Sequence, residues 1–406
     1  MDTVFVDNLK KDIAMDNFYY NIPTKIYFGK KEEERIGEIL SLYSPKKVLI
    51  HYGQHSVIAS GLLDLVKNKL DQAGIKYILL GGVKPNPEID LVRKGIALGI
   101  KEKVDFVLAI GGGSVMDSAK DIANGIANPL DDVWEYSTYD KKPLKTLQKG
   151  AILTISASGS EMSDSCVITN GKHKKGYCSD LNRFDFAIEN PELTYSVSAY
   201  QTACGIVDIA MHTIERYFDL GESSLTDDIS LALIKNVFSW GRVVMKEPNN
   251  YEARANLMWA SSLAHNGLTH KGKDFLLTVH QLEHALSGLY SEVAHGAGLA
   301  AIWCSWARKS YPSNIERWKR YASFVWDIDF TKYNDKEGIE LAIAKQEEYY
   351  REIKMPISIS EFGVKKSDIE VLSNMASANK SKVIRGFYPL GYDEIFEIFS
   401  LSYERK

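Results

Sequence analysis

Short apolar runs alternate with helical patterns through the first half of the chain, and this alternation restricts the fold more than any other feature. The runs are rich in β-branched and aromatic residues, as buried strands are. In chain order the predicted strands and helices are Lys47–Tyr52, Ile58–Ala73, Ile75–Leu80, Ile89–Leu98, Val104–Ile110 and Val115–Ile126. Two more strands are predicted at Ala151–Ile155 and Phe184–Ile188. This order predicts a parallel sheet flanked by helices.

The pattern changes after Asn190-Pro191, beyond which nearly every periodic segment is helical. Ser198 and Gln201 have capping-box spacing, which predicts a helix from there to about Phe218. The later predicted helices are Leu225–Met245, Tyr251–His265, Phe275–Leu289, Gly298–Lys309, Asp335–Lys354 and Asp393–Tyr403. A chain of 406 residues exceeds what one hydrophobic core usually organises. We therefore expect an α/β domain over residues 1–193 and an all-helical domain over residues 194–406.

Composition and charge exclude several functional classes. The formal net charge is −4 and the Lys and Arg residues are scattered, so binding to nucleic acid is not expected. Residues 1–17 lack the apolar core of a secretory signal, and no uncharged apolar run reaches the roughly 18 residues of a membrane span. The four cysteines form no Cys-x-x-Cys pair, which favours buried apolar roles. These features predict a cytoplasmic protein with no membrane partner.

A glycine-rich turn, Gly111-Gly-Gly-Ser114, lies between the strand that ends at Ile110 and the helix that begins at Val115. Backbone N–H groups at such a turn, together with the helix dipole, favour phosphate oxygens. The loops Gly82–Pro87 and Thr154–Glu161 follow two other strands and reach the same edge, where open α/β sheets bind ligands. The alternative interpretation is a tight turn that only needs positive φ angles.

The turn after the first predicted strand consists of Gly53, Gln54, His55 and Ser56. It contains no acidic residue to bind a ribose 2′-hydroxyl group, whereas its small and hydrogen-bonding groups suit a 2′-phosphate. We therefore predict NADP(H) as the cofactor in preference to NAD(H). An ordinary surface turn is the alternative interpretation.

Three of the nine histidines, His280, His284 and His295, lie close together in the helical half. Asp208 and His212 are four residues apart and therefore share one helix face. A catalytic metal needs three or four protein ligands and an open position, which Asp208, His212, His280 and His295 provide. This donor set suits Fe2+, Zn2+ or Ni2+. His284 is a further ligand, a group behind the ligands, or a proton carrier.

Several motifs are distributed along nearly the whole chain. They are Asn21-Ile-Pro-Thr-Lys-Ile-Tyr-Phe-Gly29, Gly82-Val-Lys-Pro-Asn-Pro87, Gly111-Gly-Gly-Ser-Val-Met-Asp-Ser-Ala-Lys120, Ser158-Gly-Ser-Glu161, Gly205-Ile-Val-Asp208, His280-Gln-Leu-Glu-His284 and Ala294-His-Gly-Ala-Gly-Leu299. Together they resemble the iron-containing (group III) alcohol dehydrogenases, and within them the butanol dehydrogenase-like enzymes. The resemblance implies an N-terminal Rossmann-like nucleotide-binding α/β domain, an all-α C-terminal domain of the dehydroquinate synthase-like fold, and a homodimer.

The resemblance also implies which residues act. Asp208, His212, His280 and His295 match metal ligands, and His284 matches a histidine beside the nicotinamide and the substrate. With the turn of residues 53–56, the predicted cofactor-binding set is Gly53, Gln54, His55, Ser56, Asn86, Gly112, Gly113, Ser114, Val115, Thr154, Ser158 and Lys175. The implied activity is a metal-dependent NAD(P)(H) alcohol dehydrogenase or aldehyde reductase acting on small primary alcohols and aldehydes such as butanol and butanal. His284 is the candidate for relaying the alcohol proton.

Two other functions use the same residues. His280-x-x-Glu283-His284 also matches inverted zinc peptidases, in which both histidines bind zinc and the glutamate is the general base. The second alternative is a dehydroquinate synthase-like enzyme, or another polyol or hydroxy-acid dehydrogenase, on the same fold. A dehydroquinate synthase-like site would need a basic cluster for a phosphorylated substrate. Only His270, Lys271 and Lys273 offer one, and we expect the rest of the pocket to be apolar, which favours a simple dehydrogenase.

Overall fold

A six-stranded sheet forms the centre of the N-terminal half, and all of its strands run parallel. The structure, a computed structural model, describes residues 15–405, so most of the segment predicted to hold no secretory signal lies outside the described residues. The sheet has the order β1-β8-β5-β4-β2-β3, and β6 and β7 form a separate antiparallel hairpin. The strands are β1 Lys25–Phe28, β2 Val48–Tyr52, β3 Tyr77–Leu80, β4 Phe106–Gly111, β5 Gln148–Leu153, β6 Ser165–Asn170, β7 His173–Cys178 and β8 Phe186–Glu189.

Helices cover both faces of the sheet and build the whole second half of the chain. They are α1 Ile36–Ser41, α2 Ser56–Ala59, α3 Leu62–Gln72, α4 Ile89–Glu102, α5 Gly113–Ala127, α6 Trp134–Ser137, α7 Ala199–Tyr217, α8 Ser224–Lys246, α9 Tyr251–His265, α10 Thr278–Leu289, α11 His295–Ser310, α12 Ile315–Trp326, α13 Asp335–Glu352, α14 Ile369–Ala376 and α15 Tyr392–Glu404. The predicted fold, a parallel α/β half followed by an all-helical half, is confirmed. Residues 15–405 contain no helix that is long and apolar enough to cross a membrane.

Two predicted helices have wrong bounds, and the backbone explains both. The helix predicted from Ile58 to Ala73 is divided into α2 and α3, because Gly61 adopts a left-handed conformation with φ 77° between them. The helix predicted from Phe275 begins only at Thr278, because Leu277 has φ 45° and leaves residues 275–277 in a loop. Those three residues line the cleft described below.

Helix α7 is the central element of the helical half. Its residues 202–217 are all buried, because α8, α9 and α11 pack around it. The Ser198 hydroxyl accepts a hydrogen bond from the Gln201 N–H group, so the predicted N-terminal cap is present. At Gly296 a Cβ atom would collide with the backbone carbonyl of Cys204, so glycine allows the first turn of α11 to reach α7. This contact brings two segments with predicted metal ligands together.

The apolar cores follow the same division of the chain. One core contains buried residues between Ala203 and Phe399, and two cores lie on the two faces of the sheet. Met258 of α9 is the single helical-half residue among the buried members of the sheet cores, within the described residues. The boundary at residue 193 remains a prediction.

Candidate functional site

A cleft of about 1570 Å³ lies between the carboxyl ends of the sheet strands and helices α7, α10 and α11. Its lining includes the glycine-rich turn from one half and the clustered histidines from the other. A cavity of this kind is where α/β proteins bind cofactors and substrates. The glycine-rich turn and the clustered histidines therefore face one cavity.

The glycine-rich turn forms the N-terminus of α5, with Gly112 as its N-cap. A Cβ atom on Gly113 would collide with the Ser158 hydroxyl, and one on Gly112 would collide with the Ile155 side chain. The turn therefore needs glycine, and it leaves backbone N–H groups at a helix start that faces the cleft. Such a start is suited to the phosphates of a dinucleotide.

Eight of the twelve predicted cofactor-binding residues line this cleft. They are Gln54, Asn86, Gly112, Gly113, Ser114, Val115, Ser158 and Lys175. The other four, Gly53, His55, Ser56 and Thr154, do not line it. The Thr154 N–H group instead donates to the Gly111 carbonyl at 3.1 Å, which prolongs the pairing of β4 with β5.

The predicted metal ligands converge on one carboxylate oxygen. Asp208 Oδ1 lies 3.3 Å from His212 Nδ1, 3.7 Å from His280 Nε2 and 3.8 Å from His295 Nε2. Asp208 Oδ1 and His280 Nε2 are buried and have no hydrogen-bond partner among residues 15–405. Unpaired buried polar atoms are costly in a folded protein, and a shared cation would satisfy these. The donor set and its unpaired atoms therefore fit a divalent metal.

Two glutamates that the sequence analysis did not assign to the metal site hold the imidazoles from behind. Glu215 of α7 hydrogen-bonds His280 Nδ1, and Glu283 of α10 hydrogen-bonds His295 Nδ1. Each bond leaves the Nε2 atom of its histidine turned towards Asp208. A carboxylate behind a ligating histidine sets its tautomer and ring orientation. The available signal was their position three residues after His212 and His280, one helical turn along the same face.

The buried carboxylate and imidazoles of the cluster shift one another's pKa values. Burial opposes ionisation of Asp208, but His280 and His295 outweigh it and hold the pKa of this carboxyl below its usual value. Burial likewise opposes protonation of His280, yet Glu215 and Asp208 raise its pKa to about 9. A bound cation would take over the role of that proton.

His284 lies one turn after His280 and lines the cleft. Its ring centroid is 5.7 Å from that of His295. Burial and the nearby Lys174 ammonium hold the pKa of His284 well below its ordinary value, so the imidazole is neutral at neutral pH. A neutral imidazole in a cleft is able to accept a proton.

The burial and bonding of Glu283 are inconsistent with the zinc peptidase alternative. That function requires the glutamate to act on a substrate beside two zinc-binding histidines, His280 and His284. Here Glu283 is fully buried, bonded to His295, and within 3.5 Å of Lys174 Nζ. Its carboxylate is engaged in orienting His295, a predicted metal ligand.

A further imidazole, His265 of α9, was not predicted to belong to the site. Its ring centroid lies 4.2 Å from that of His212, and its Nε2 atom is 3.4 Å from the Ser165 hydroxyl. Burial and His212 hold the pKa of His265 well below its ordinary value. His265 lies at the end of α9, far in sequence from the other histidines of the site. The spacing between residues therefore did not indicate that it belongs there.

The expectation of an otherwise apolar pocket was wrong. Phe275 and Leu276 do line the cleft, but so do Lys174, Lys175 and Lys382. The two adjacent lysines come from β7, a polar strand that the sequence analysis missed, and Lys382 comes from the loop between α14 and α15. As a basic cluster for the substrate, the sequence analysis had considered only residues near 265–273, and it had assigned Lys175 to the cofactor, because the folding of the hairpin onto α10 is not visible in the sequence.

We expect the change Glu283→Gln to lower metal affinity about 10–100-fold, the usual effect of removing a carboxylate behind a ligating histidine. The amide keeps the size of the side chain but removes the charge that faces His295 and Lys174. The measurement is metal content after equilibrium dialysis against buffered free metal. Glu292→Gln, an exposed position on the same cleft, is the matched control. Equal affinities in the two variants would contradict the role of Glu283.

The fold and the site define a class of protein that comparison with known sequences identifies. Residues 23–191 match the family model for iron-containing alcohol dehydrogenase, and residues 202–403 match that for the C-terminal part of the Fe-containing alcohol dehydrogenase family. The chain belongs to the iron-containing alcohol dehydrogenase family, as its motifs predicted, and is an oxidoreductase.

Within this family the chain is similar to butanol dehydrogenases. It is 38% identical to NADH-dependent butanol dehydrogenase A of Clostridium acetobutylicum, with 96% of this chain and all of the relative aligned. It is 32% identical to the NADPH-dependent aldehyde reductase YqhD of Escherichia coli, over 88% of this chain and 92% of the relative. The crystal structure of NADH-dependent butanol dehydrogenase A from Thermotoga maritima superposes with a TM-score of 0.92 at 32% identity, covering 96% of this chain and all of the other.

Proposed function

We propose that the protein interconverts small primary alcohols and their aldehydes, such as butanol and butanal, with a nicotinamide cofactor and one divalent metal. The observation that carries this proposal is the unpaired Asp208 Oδ1 atom surrounded by three imidazoles in a cleft shared with the glycine-rich turn. The butanol dehydrogenases and the aldehyde reductase among the relatives support it.

Asp208, His212, His280 and His295 would hold the metal. Three imidazoles and a carboxylate suit Fe2+ or Zn2+, and Ni2+ is compatible with the same donors. When bound, the metal supplies Lewis acidity towards the substrate oxygen, and the nicotinamide supplies or accepts the hydride. Glu215 and Glu283 keep two of the imidazoles oriented for this role.

His284 is the residue that we propose to move the proton. Its imidazole is neutral at neutral pH and lies one turn from His280, so it can take the proton that a primary alcohol releases on oxidation. In the direction of aldehyde reduction it returns that proton to the oxygen. The apolar side chains of Phe275 and Leu276 line the cleft and limit the access of water.

Gln54, Asn86, Ser158 and the turn of residues 112–115 would bind the cofactor, because all of them line the cleft. The preference for NADP(H) over NAD(H) rests on the lack of an acidic residue in the turn after β2. The relatives include both NADH-dependent and NADPH-dependent enzymes, so the two cofactors must be compared directly. The homodimer and the contact of Lys175 with the cofactor remain predictions.

The test is an anaerobic assay of protein reconstituted separately with Fe2+, Zn2+ and Ni2+, with butanal and either NADPH or NADH. We expect nicotinamide absorbance to fall with butanal in at least one metal form, and faster with NADPH. Dialysis against a chelator should abolish the reaction, and returning the metal should restore it. Absence of turnover with every metal and both cofactors would refute the proposed function.

A further inference from the structure

Lys382 is held at the substrate side of the cleft by a glutamine from the metal-binding helix. Its Nζ atom donates to Gln281 Oε1 at 2.7 Å, and Gln281 Nε2 donates in turn to the Leu276 carbonyl at 2.8 Å. Gln281 directly follows the predicted metal ligand His280 and precedes His284 by three residues. Lys382 is therefore a positioned cation close to the reacting end of the cleft.

The loop that carries Lys382 is anchored to the helical core at both ends. The Lys382 N–H group donates to the Ser377 carbonyl at 2.9 Å, next to the end of α14. Further along, Ile384 and Leu390 are fully buried and exchange two backbone hydrogen bonds of 2.9 Å each. A loop fixed in this way presents its side chain at a defined place, so ordering it on ligand binding costs little.

The charge at this position is not neutralised within the protein. Within residues 15–405, Lys382 forms no ion pair with a carboxylate, and its side-chain hydrogen bond goes to the neutral Gln281. Partial burial and the charge of Lys175 lower the pKa of Lys382. By contrast, Lys174 lies 3.5 Å from Glu283 Oε2 and has its counter-charge. Lys382 is exposed at the rim of the cleft, and a cation without an acidic partner there creates a positive potential that attracts an anion.

The position of Lys382 indicates which anion it binds. The phosphates of a dinucleotide have a place at the N-terminus of α5, built by Gly112 and Gly113. Lys382 instead contacts α10, the helix that carries His280 and His284. An anion bound there is therefore part of the substrate, because the substrate oxygen is the one that faces the predicted metal ligands.

We infer that Lys382 binds a carboxylate carried by the substrate at the end remote from its carbonyl group, so that the protein favours aldehydes bearing an acid group over plain alkyl aldehydes. This inference rests on the proposed function and changes only the class of substrate. The hydride still passes from the nicotinamide to the aldehyde carbon, and one proton completes the alcohol. The carboxylate takes no part in bond making or breaking.

The test compares two substrates of equal chain length in the metal-loaded enzyme. Butanal ends in a methyl group, and 4-oxobutanoate carries a carboxylate at the same end. We expect Lys382→Met to reduce kcat/KM for 4-oxobutanoate about tenfold to a hundredfold, mainly through KM, as loss of a hydrogen bond to a charged group does. The value for butanal should change less than about twofold. Raising the ionic strength should reduce the advantage of the anionic substrate in the wild-type enzyme.

Lys380→Met is the matched control, since Lys380 lies on the same loop with its Nζ 4.1 Å from the Tyr392 ring centroid and does not line the cleft. Lys382→Arg should retain most of the preference. Equal losses with both substrates in Lys382→Met, or an increase in the KM of the cofactor with an unchanged substrate ratio, would overturn the inference. If butanal is reduced but 4-oxobutanoate is not favoured, the inference about the substrate class is wrong and the proposed function stands. If neither is reduced, the proposed function itself fails.

Discussion

Replacing His280 with alanine is expected to abolish turnover and to leave the purified protein with little metal. The imidazole is buried, its Nε2 atom faces Asp208, and Glu215 holds it from behind. Its removal takes away one of the four predicted ligands and deprives the buried Glu215 carboxylate of its imidazole partner. We expect activity at least about 1000-fold lower, measured by nicotinamide absorbance, with metal content measured on the same sample.

The comparison that makes this result interpretable is His173→Ala. His173 is an exposed histidine at the start of β7 and should tolerate the change without loss of metal or activity. A His280→Ala protein that keeps both metal and turnover would show that His280 is not a ligand. A protein that loses stability but keeps its metal would lead to the same conclusion.

The second large effect is expected at His284. The change His284→Ala should leave the metal in place but slow turnover about 100-fold to 10,000-fold, the usual contribution of a positioned general acid or base. Burial and the neighbouring Lys174 charge keep this imidazole neutral; a neutral imidazole can accept a proton, and the same two effects lower its basicity. The measurements are kcat across a range of pH values and the metal content of the variant.

Rescue distinguishes proton transfer from packing at this position. Added imidazole should restore part of the activity of His284→Ala if the lost group moved a proton. A variant that loses its metal would make His284 a ligand instead. One with unchanged kcat and pH profile would remove it from the mechanism.

The sequence was sufficient for the fold because local patterns and tertiary contacts agree in most elements. Strand β4 is apolar throughout and central, so its pattern is unambiguous. Strand β1 was missed because it is a four-residue edge strand with partly exposed side chains, and the hairpin was missed because β7 is largely polar. These elements are defined by their partners rather than by their own composition.

In the candidate site, too, the residues spaced along one helix could be predicted from the sequence, whereas contacts between distant segments could not. Spacing along single helices brought out Asp208 with His212 and His280 with His284. It could not show that Glu283 would bond to His295, because that contact depends on how α10 meets α11. His265 and Lys382 enter the cleft from elements far away in sequence, and nothing in their own neighbourhoods marks them.

The tight contact of Gly296 with the Cys204 carbonyl has a consequence for how this enzyme can diversify. Any side chain at that junction would push apart the two helices that carry Asp208 and His295, so this part of the scaffold is closed to variation. The hairpin and the loop after α14 also border the cavity, and there the side chains of Lys175 and Lys382 are exposed, so a change of side chain disturbs no buried contact. We therefore expect new substrate ranges, whether from natural selection or from directed evolution, to arise through changes in the β6–β7 hairpin and the loop after α14, while α7 and α11 stay unchanged.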